Sequence, residues 1–281
     1  MLSARELYQS TQSRLNALYP PQESQSLVYW LMEHFLAIKR PDILKDIEIK
    51  NPTPAFELAV KELEKGRPVQ YILGFGPFYG RDFKVDHSVL IPRNETEELV
   101  HLIINENPHQ DLKILDIGTG TGCIPITLFL EMKAAKVAAL DISKAALAIA
   151  RQNAAELKAK VEFYETDILK EEIPIHGLDI IVSNPPYVRE LEKAEMHQNV
   201  LEYEPQLALF VTDDDPLIFY RTIAKKSMDA LVPHGKIYFE INEAFGDEMY
   251  QMMASLGYEA VKIYQDMQGK DRILSAVKPL S

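Results

Sequence analysis

Apolar residues in the first seventy positions recur at helical spacing. Leu27, Trp30, Leu31, His34 and Phe35 fall on one side of a 3.6-residue period. The same pattern predicts helices over 3–18, 23–38 and 54–65, punctuated by Pro20, Pro21, Pro41 and Pro52. Trp30 and Phe35 fit the core of a small bundle better than a binding surface. Residues 75–90 alternate apolar and polar, with Gly74, Gly76 and Gly80 between them, and this predicts a β-hairpin. From Asn94 onward the period changes. Short apolar runs near 112–117, 136–141, 160–165, 178–183 and 235–241 alternate with helical stretches, and a last pair of strands falls near 258–264 and 272–277. Alternating strands and helices predict a parallel sheet covered on both faces. The chain therefore divides into a helical domain at 1–73, a hairpin linker at 74–92 and an α/β domain at 93–281. Residues 188–215 are long for a loop in a compact domain. Such loops are often functional, and this one is expected to cover a substrate.

Composition narrows the setting. A chain of 281 residues that is 47% hydrophobic can build one large or two modest domains. No run approaches 18 apolar residues, so no membrane span is expected. The N-terminus, Met1-Leu2-Ser3-Ala4-Arg5-Glu6, lacks the apolar stretch of a secretion signal. A single cysteine excludes an internal disulfide and suits a reducing, cytoplasmic setting. Cys123 has no histidine near it in sequence and reads as a packed helix-start residue. Seven scattered histidines show no ligand spacing, so no metal is expected. The net charge of −12 counts against free nucleic acid as a partner. A local patch of Lys61, Lys65 and Arg67 reads as a solvated face.

The candidate chemistry begins at Asn184-Pro185-Pro186-Tyr187, directly after the apolar run 178–183. Two consecutive prolines forbid helix and further pairing, which leaves a stiff backbone with free carbonyls. The Asn184 side-chain oxygen can accept one N–H of an –NH₂ group and the Pro185 carbonyl the other. The nitrogen's remaining electron density then points outward, towards an electrophile. Tyr187 can lie against a planar amide or base. Alone, this tetrapeptide could equally be an ordinary turn.

The context favours a site. The strand ending at Ile117 runs into Gly118-Thr119-Gly120-Thr121-Gly122, with Asp116 two residues before the first glycine. A dinucleotide fingerprint would need a glycine at position 123, which is Cys123. The Asp-x-Gly-x-Gly-x-Gly pattern instead resembles motif I of Rossmann-like S-adenosylmethionine methyltransferases. There the carboxylate suits the cationic amino-acid end of the cofactor. Asp141, ending the next strand, is placed to accept from ribose hydroxyls, and it or Ser143 could also cap the following helix. Asp167 follows the third strand, where this fold contacts the adenine amino group, and Ile168 can pack on the ring. The expected cofactor contacts are thus Asp116, Gly118, Thr119, Gly120, Thr121, Gly122, Asp141, Asp167, Ile168 and Asn184. Asn184, Pro185 and Tyr187 are the expected catalytic residues, joined by Pro186 in holding the substrate. Ligands in open α/β sheets collect at these carboxyl strand ends.

Taken together, the chain resembles the HemK/PrmC family of protein-(glutamine-N5) methyltransferases, which modify peptide-chain release factors. The resemblance covers about 60–281. It rests on Gly66-Arg67-Pro68-Val69-Gln70-Tyr71-Ile72-Leu73-Gly74, Leu90-Ile91-Pro92-Arg93-Asn94-Glu95-Thr96-Glu97, Asp116 to Gly122, Asn184 to Tyr187, Tyr203-Glu204-Pro205 and the segment Asp266 to Arg272. It implies a Rossmann-like S-adenosylmethionine-dependent sheet closed by an antiparallel pair, with a small N-terminal helical bundle that docks a protein partner. It also implies methylation of the glutamine of a Gly-Gly-Gln tripeptide in a release factor, by a monomer with no direct nucleic-acid partner. Two departures stand out. Asn94 replaces a proline usual in the family, and with Glu97 it predicts a capping box for helix 95–106. Where the family tends to have Glu-Ile-Gly-x-x-Gln, this chain has Glu240-Ile241-Asn242-Glu243-Ala244-Phe245, so the family's Gln contact is not carried over, and Asn242 is expected to keep the turn by tolerating positive φ.

No neutral-pH base is evident in the tetrapeptide, so the displaced proton is expected to leave to water. Three other activities fit parts of the pattern. A glutamine methyltransferase of a ribosomal protein would need the same site. An adenine-N6 or guanine-N2 nucleic-acid methyltransferase would use the same chemistry on a base taken out of its stack. A non-catalytic cofactor-binding module would not require Asn184 or Asp116.

Overall fold

The computed structural model describes residues 2–49, 52–108 and 111–280. They form two compact units, one of 1–75 with 197–203 and one of 76–196 with 204–281.

The first unit is helical: Ala4–Leu15, Pro21–Leu36, Arg40–Lys45, Pro54–Glu64 and Val69–Leu73. Ser3 caps the first helix through a reciprocal pair, accepting from the Glu6 N–H at 3.1 Å while Glu6 accepts from the Ser3 N–H at 2.9 Å. The helices close on Leu7, Leu15, Val28, Leu31, Met32, Phe56, Val60 and Leu63. Trp30 and Phe35 pack half-buried against that core, as the spacing predicts. The turn Arg40–Lys45 was not legible, because six residues are too few to show a period.

A hairpin of Phe75–Phe78 and Arg81–Lys84 follows, turned by Tyr79 and Gly80, both at positive φ. Helix Asn94–Glu106 leads into a seven-stranded sheet. Its strands are β1 (Lys113–Ile117), β2 (Lys136–Asp141), β3 (Val161–Glu165), β4 (Leu178–Ser183), β5 (Leu231–Glu240), β6 (Glu259–Gln265) and β7 (Asp271–Val277). The order across the sheet is β6-β7-β5-β4-β1-β2-β3. The pairs among β1 to β5 are parallel, and β7 runs antiparallel to both β5 and β6.

Alternation along the strands sorts side chains between two cores. Leu115, Ile117, Ile181, Ile237 and Phe239 meet Tyr220, Ile223 and Met253 on one face. Ile114, Ile180, Val182 and Tyr238 meet Leu99, Val100, Ile103 and Ile126 on the other. Each such buried side chain contributes about 1.5–3 kcal/mol. Asp116 shares its parity with Ile114, and Glu240 with Tyr238. The register sets Asp116 opposite Val182, and Val182 opposite Tyr238. Asp116, Asn184 and Glu240 therefore belong to one face, at the carboxyl edge of three adjacent strands. The chain leaves β1 towards β2 on one side and returns to β4 on the other, so this is where the strand order reverses.

Helix 94–106 corrects one expectation. Its N-cap is Arg93, not Asn94, and no side chain caps it. Asn94 occupies the first helical position, where proline is favoured because its absent N–H would find no partner anyway. Glu97 accepts instead from the Tyr79 N–H at 2.8 Å and ties the hairpin turn to the helix.

Candidate active site

The glycine turn is built on the end of β2. The Gly118 and Thr119 N–H groups donate to the Leu140 carbonyl at 2.9 and 3.1 Å, and the Gly120 N–H donates to Asp141 Oδ2 at 2.9 Å. Gly118, Gly120 and Gly122 all lie at positive φ. At Gly122 an added Cβ would sit 3.0 Å from Ile126 and 3.1 Å from Ala150, so this glycine allows two helices to pack. At Gly118 and Gly120 the same atom would enter open space, leaving room for a ligand to approach the backbone.

Beside this turn, Asp116 is fully buried, and neither of its carboxylate oxygens has a hydrogen-bond partner. The Thr119 hydroxyl is also buried and unbonded. Burial pushes the Asp116 carboxyl up to about 7, opposed by the nearby Thr119 hydroxyl and reinforced by the charge of Asp141. A buried acid with both oxygens unsatisfied is costly unless something polar or cationic completes it. A donor with a cationic amino-acid end would supply such a partner, so these residues fit S-adenosylmethionine.

Along the same edge, Asp141 accepts from the Gly120 and Ser143 N–H groups, while Ser143 caps helix Lys144–Glu156 by accepting from the Ala146 N–H at 3.2 Å. Thr121 is held through its carbonyl, which accepts from Asn153 Nδ2 at 2.9 Å. Asp167 lies two residues past the end of β3, where its carboxylate accepts from the Leu169 N–H and pairs with Lys170 at 2.8 Å. Ile168 is buried in the adjoining core. Asp167 and Asn184 stand at opposite ends of this row, three strand spacings of about 4.8 Å apart.

Asn184 starts the loop after β4, and β4 adjoins β1: the Ser183 hydroxyl donates to the Ile117 carbonyl at 2.6 Å. Asn184 Nδ2 donates to Thr96 Oγ1 at 3.2 Å, and Thr96 Oγ1 donates to Glu240 Oε2 at 2.7 Å. The Tyr187 hydroxyl donates to Glu240 Oε1 at 3.1 Å. Among the described residues Asn184 Oδ1 makes no hydrogen bond. A cavity of about 60 Å³ opens here, lined by Leu90, Arg93, Asn184, Pro185, Tyr187 and Leu209, with Glu240 at its wall. Burial raises the Glu240 carboxyl above its usual range, while bonds from Thr96 and Tyr187 and the charge of Arg272 pull it down. Burial likewise raises the Tyr187 hydroxyl, so it stays protonated and donates.

Two segments singled out in the sequence meet at one ion pair. Arg93 binds Glu204 Oε1 at 2.6 Å, and Glu204 Oε2 accepts from the Ile91 N–H at 3.1 Å. The stretch 188–215 is folded into short pieces, including a parallel pairing of Val188–Arg189 with Phe210–Val211. Asn242 corrects the second expectation. Its φ is −69°, and it caps a turn by accepting from the Ala244 N–H at 2.9 Å, so no left-handed backbone is needed. Its Nδ2 also donates to the Tyr187 carbonyl at 3.2 Å.

The roles of Thr96, Glu240, Asn153 and Asn242 were missed in the sequence. Thr96 lies inside a segment quoted for the resemblance and Glu240 starts the stretch that departs from it at Asn242, but nothing local pairs either with Asn184. A buried asparagine on the apolar face of helix Lys144–Glu156 was the available signal for Asn153.

A seven-stranded sheet of this order, with an unsatisfied acid at a glycine turn and the Asn184 loop on the next strand, is that of a methyltransferase. The fold is shared with a methyltransferase from Pyrococcus furiosus, at a TM-score of 0.53 and 19% identity over 72% of this chain and 91% of that one. Residues 95–207 match the methyltransferase small domain family, and residues 6–74 match the PrmC N-terminal domain. The release factor glutamine methyltransferase of Bacteroides thetaiotaomicron is 48% identical over 93% of this chain and 95% of its own length. That of Flavobacterium psychrophilum is 43% identical, over 92% and 94%. The chain belongs to the release factor glutamine methyltransferase family.

Proposed function

We propose that this enzyme transfers a methyl group from S-adenosylmethionine to the side-chain amide nitrogen of the glutamine in the Gly-Gly-Gln motif of peptide-chain release factors. The observation that carries this reading is Asn184 Oδ1, left without a hydrogen bond among the described residues at a cavity it lines with Pro185, one strand from the Asp116 turn. The donor, when bound, supplies an activated methyl group on a sulfonium. The protein's task is alignment, because a carboxamide nitrogen is a poor nucleophile with its lone pair drawn into the carbonyl. Asn184 Oδ1 and the Pro185 carbonyl accept the two amide hydrogens and stabilise positive charge developing on nitrogen. Fixing the nitrogen in line contributes about 7–11 kcal/mol relative to free reactants. The displaced proton leaves to water.

Asp116, Gly118 to Gly122, Asp141, Asp167 and Ile168 hold the cofactor. The helical unit, within 1–73, docks the release factor. The enzyme works as a cytoplasmic monomer on protein, not on free nucleic acid, in keeping with its net charge of −12. Among the described residues no helix is long and apolar enough to cross a membrane, and no cluster of three side chains could hold a metal ion.

Mass spectrometry of tryptic release-factor peptides, after incubation with enzyme and cofactor, tests the reading. One added methyl on the Gly-Gly-Gln glutamine is the expected result. Label that enters only RNA or a ribosomal protein would overturn it.

A further inference from the structure

We propose that Thr96 and Glu240 are positioning residues that set which end of the Asn184 carboxamide faces the substrate, an inference that rests on the amide-methylation reading above. The two ends of a carboxamide are nearly equal in size and opposite in hydrogen-bonding character. With oxygen outward, Asn184 accepts from a substrate –NH₂. With nitrogen outward, two donors meet and the clamp is lost. Nothing within the tetrapeptide makes this choice, because Pro185 and Pro186 have no N–H to offer.

Thr96 makes the choice. Its hydroxyl carries one hydrogen, and Glu240 Oε2 takes it at 2.7 Å. Only lone pairs remain on Thr96 Oγ1 to face Asn184, so the Asn184 –NH₂ must turn inward, as it does at 3.2 Å. Glu240 fixes the direction of the relay because both of its carboxyl oxygens are engaged as acceptors, one from Thr96 and the other from the Tyr187 hydroxyl. Thr96 and Glu240 are 3% and 2% exposed, so water is not available to replace either link. Burial raises the Glu240 carboxyl, and the bonds from Thr96 and Tyr187 and the charge of Arg272, itself paired with Asp266 and Glu243, oppose that rise. The relay runs from carboxylate to hydroxyl to amide, and from there to the substrate nitrogen.

The test is a mutant cycle on the full-length enzyme with release factor and radiolabelled S-adenosylmethionine. Thr96→Val keeps the shape of the side chain and removes the hydroxyl. It is expected to lower kcat about tenfold or more while release-factor KM and cofactor Kd stay within about threefold. Thr96→Ser, which restores the hydroxyl, is expected to recover at least about a third of wild-type kcat. In an Asn184→Ala background Thr96→Val should cost nothing further, because it acts only through the missing amide. Wild-type kcat in Thr96→Val, or losses that multiply in the double variant, would overturn the relay. Should Thr96→Val fail to fold by circular dichroism, Glu240→Gln enters the cycle against Asn184→Ala under the same criterion. A wild-type enzyme that leaves release factor unlabelled counts against the amide-methylation reading. A labelled wild type with an unaffected Thr96→Val counts against the relay alone.

Discussion

The two halves of the site are assembled in different ways. The donor side, from Asp116 to Gly122, is contiguous in sequence, and backbone N–H groups donating to the end of β2 hold it in shape. The acceptor side draws on Thr96, Asn184 and Glu240, which are 88 and 144 positions apart along the two links of the relay. The first arrangement leaves both oxygens of the Asp116 carboxylate without a partner, which the proposed cofactor contact would complete. The second satisfies its own buried acid internally, through Thr96 and Tyr187, and leaves Asn184 Oδ1 without a partner among the described residues. In the proposed reading one half is finished by what it binds, and the other is finished before anything binds.

Substitutions in each half should therefore behave differently. Asn184→Ala is expected to give the largest loss, at least about tenfold in kcat, from roughly 1–3 kcal/mol of unmade hydrogen bonding. Cofactor affinity by calorimetry should stay within about twofold. A comparable loss of cofactor affinity would erase the distinction between the halves. Asp116→Asn should do the reverse in two respects. Cofactor affinity falls about tenfold, while the ligand-free protein melts higher, by about 2–4 °C for each kcal/mol relieved. A lower melting temperature would show that the buried charge is already compensated.

Smaller effects sharpen the contrast. Arg93→Met leaves the Glu204 carboxylate buried with only the Ile91 N–H. The cost in urea denaturation should be of order 2 kcal/mol, below the ~3–5 kcal/mol of a fully buried pair because Arg93 is partly exposed. The mildest test is pH. Asp116 stands near 7 in the fold, against about 3.9 in an unfolded chain, so the native state holds the extra proton between these values. Ligand-free stability attributable to this group is full below about pH 4, declines as pH rises and levels off above about 7. Urea midpoints at pH 5 and 7.5 should differ less in Asp116→Asn than in the wild type.

The same contrast explains what the sequence revealed. All seven sheet strands and the three longest N-terminal helices were legible, because each announces itself by a period within a few residues. The glycine turn was legible because its chemistry is local. Thr96 and Glu240 were not, since their meaning depends on a register that brings β5 beside β4. Both asparagine departures were misjudged for a related reason. Asn94 was read as a cap, although Arg93 holds that place. Asn242 was assigned a backbone role, when its side chain carries the work.

The sole cysteine offers a practical return. Cys123 follows Gly122 at the start of a helix, a position that ordinarily makes a thiol more acidic, yet burial pushes it up to about 12. At neutral pH it carries almost no thiolate, so it resists alkylating reagents. A second cysteine placed on the surface would thus be the single reactive handle for a fluorophore or crosslinker, with no need to engineer the native one away.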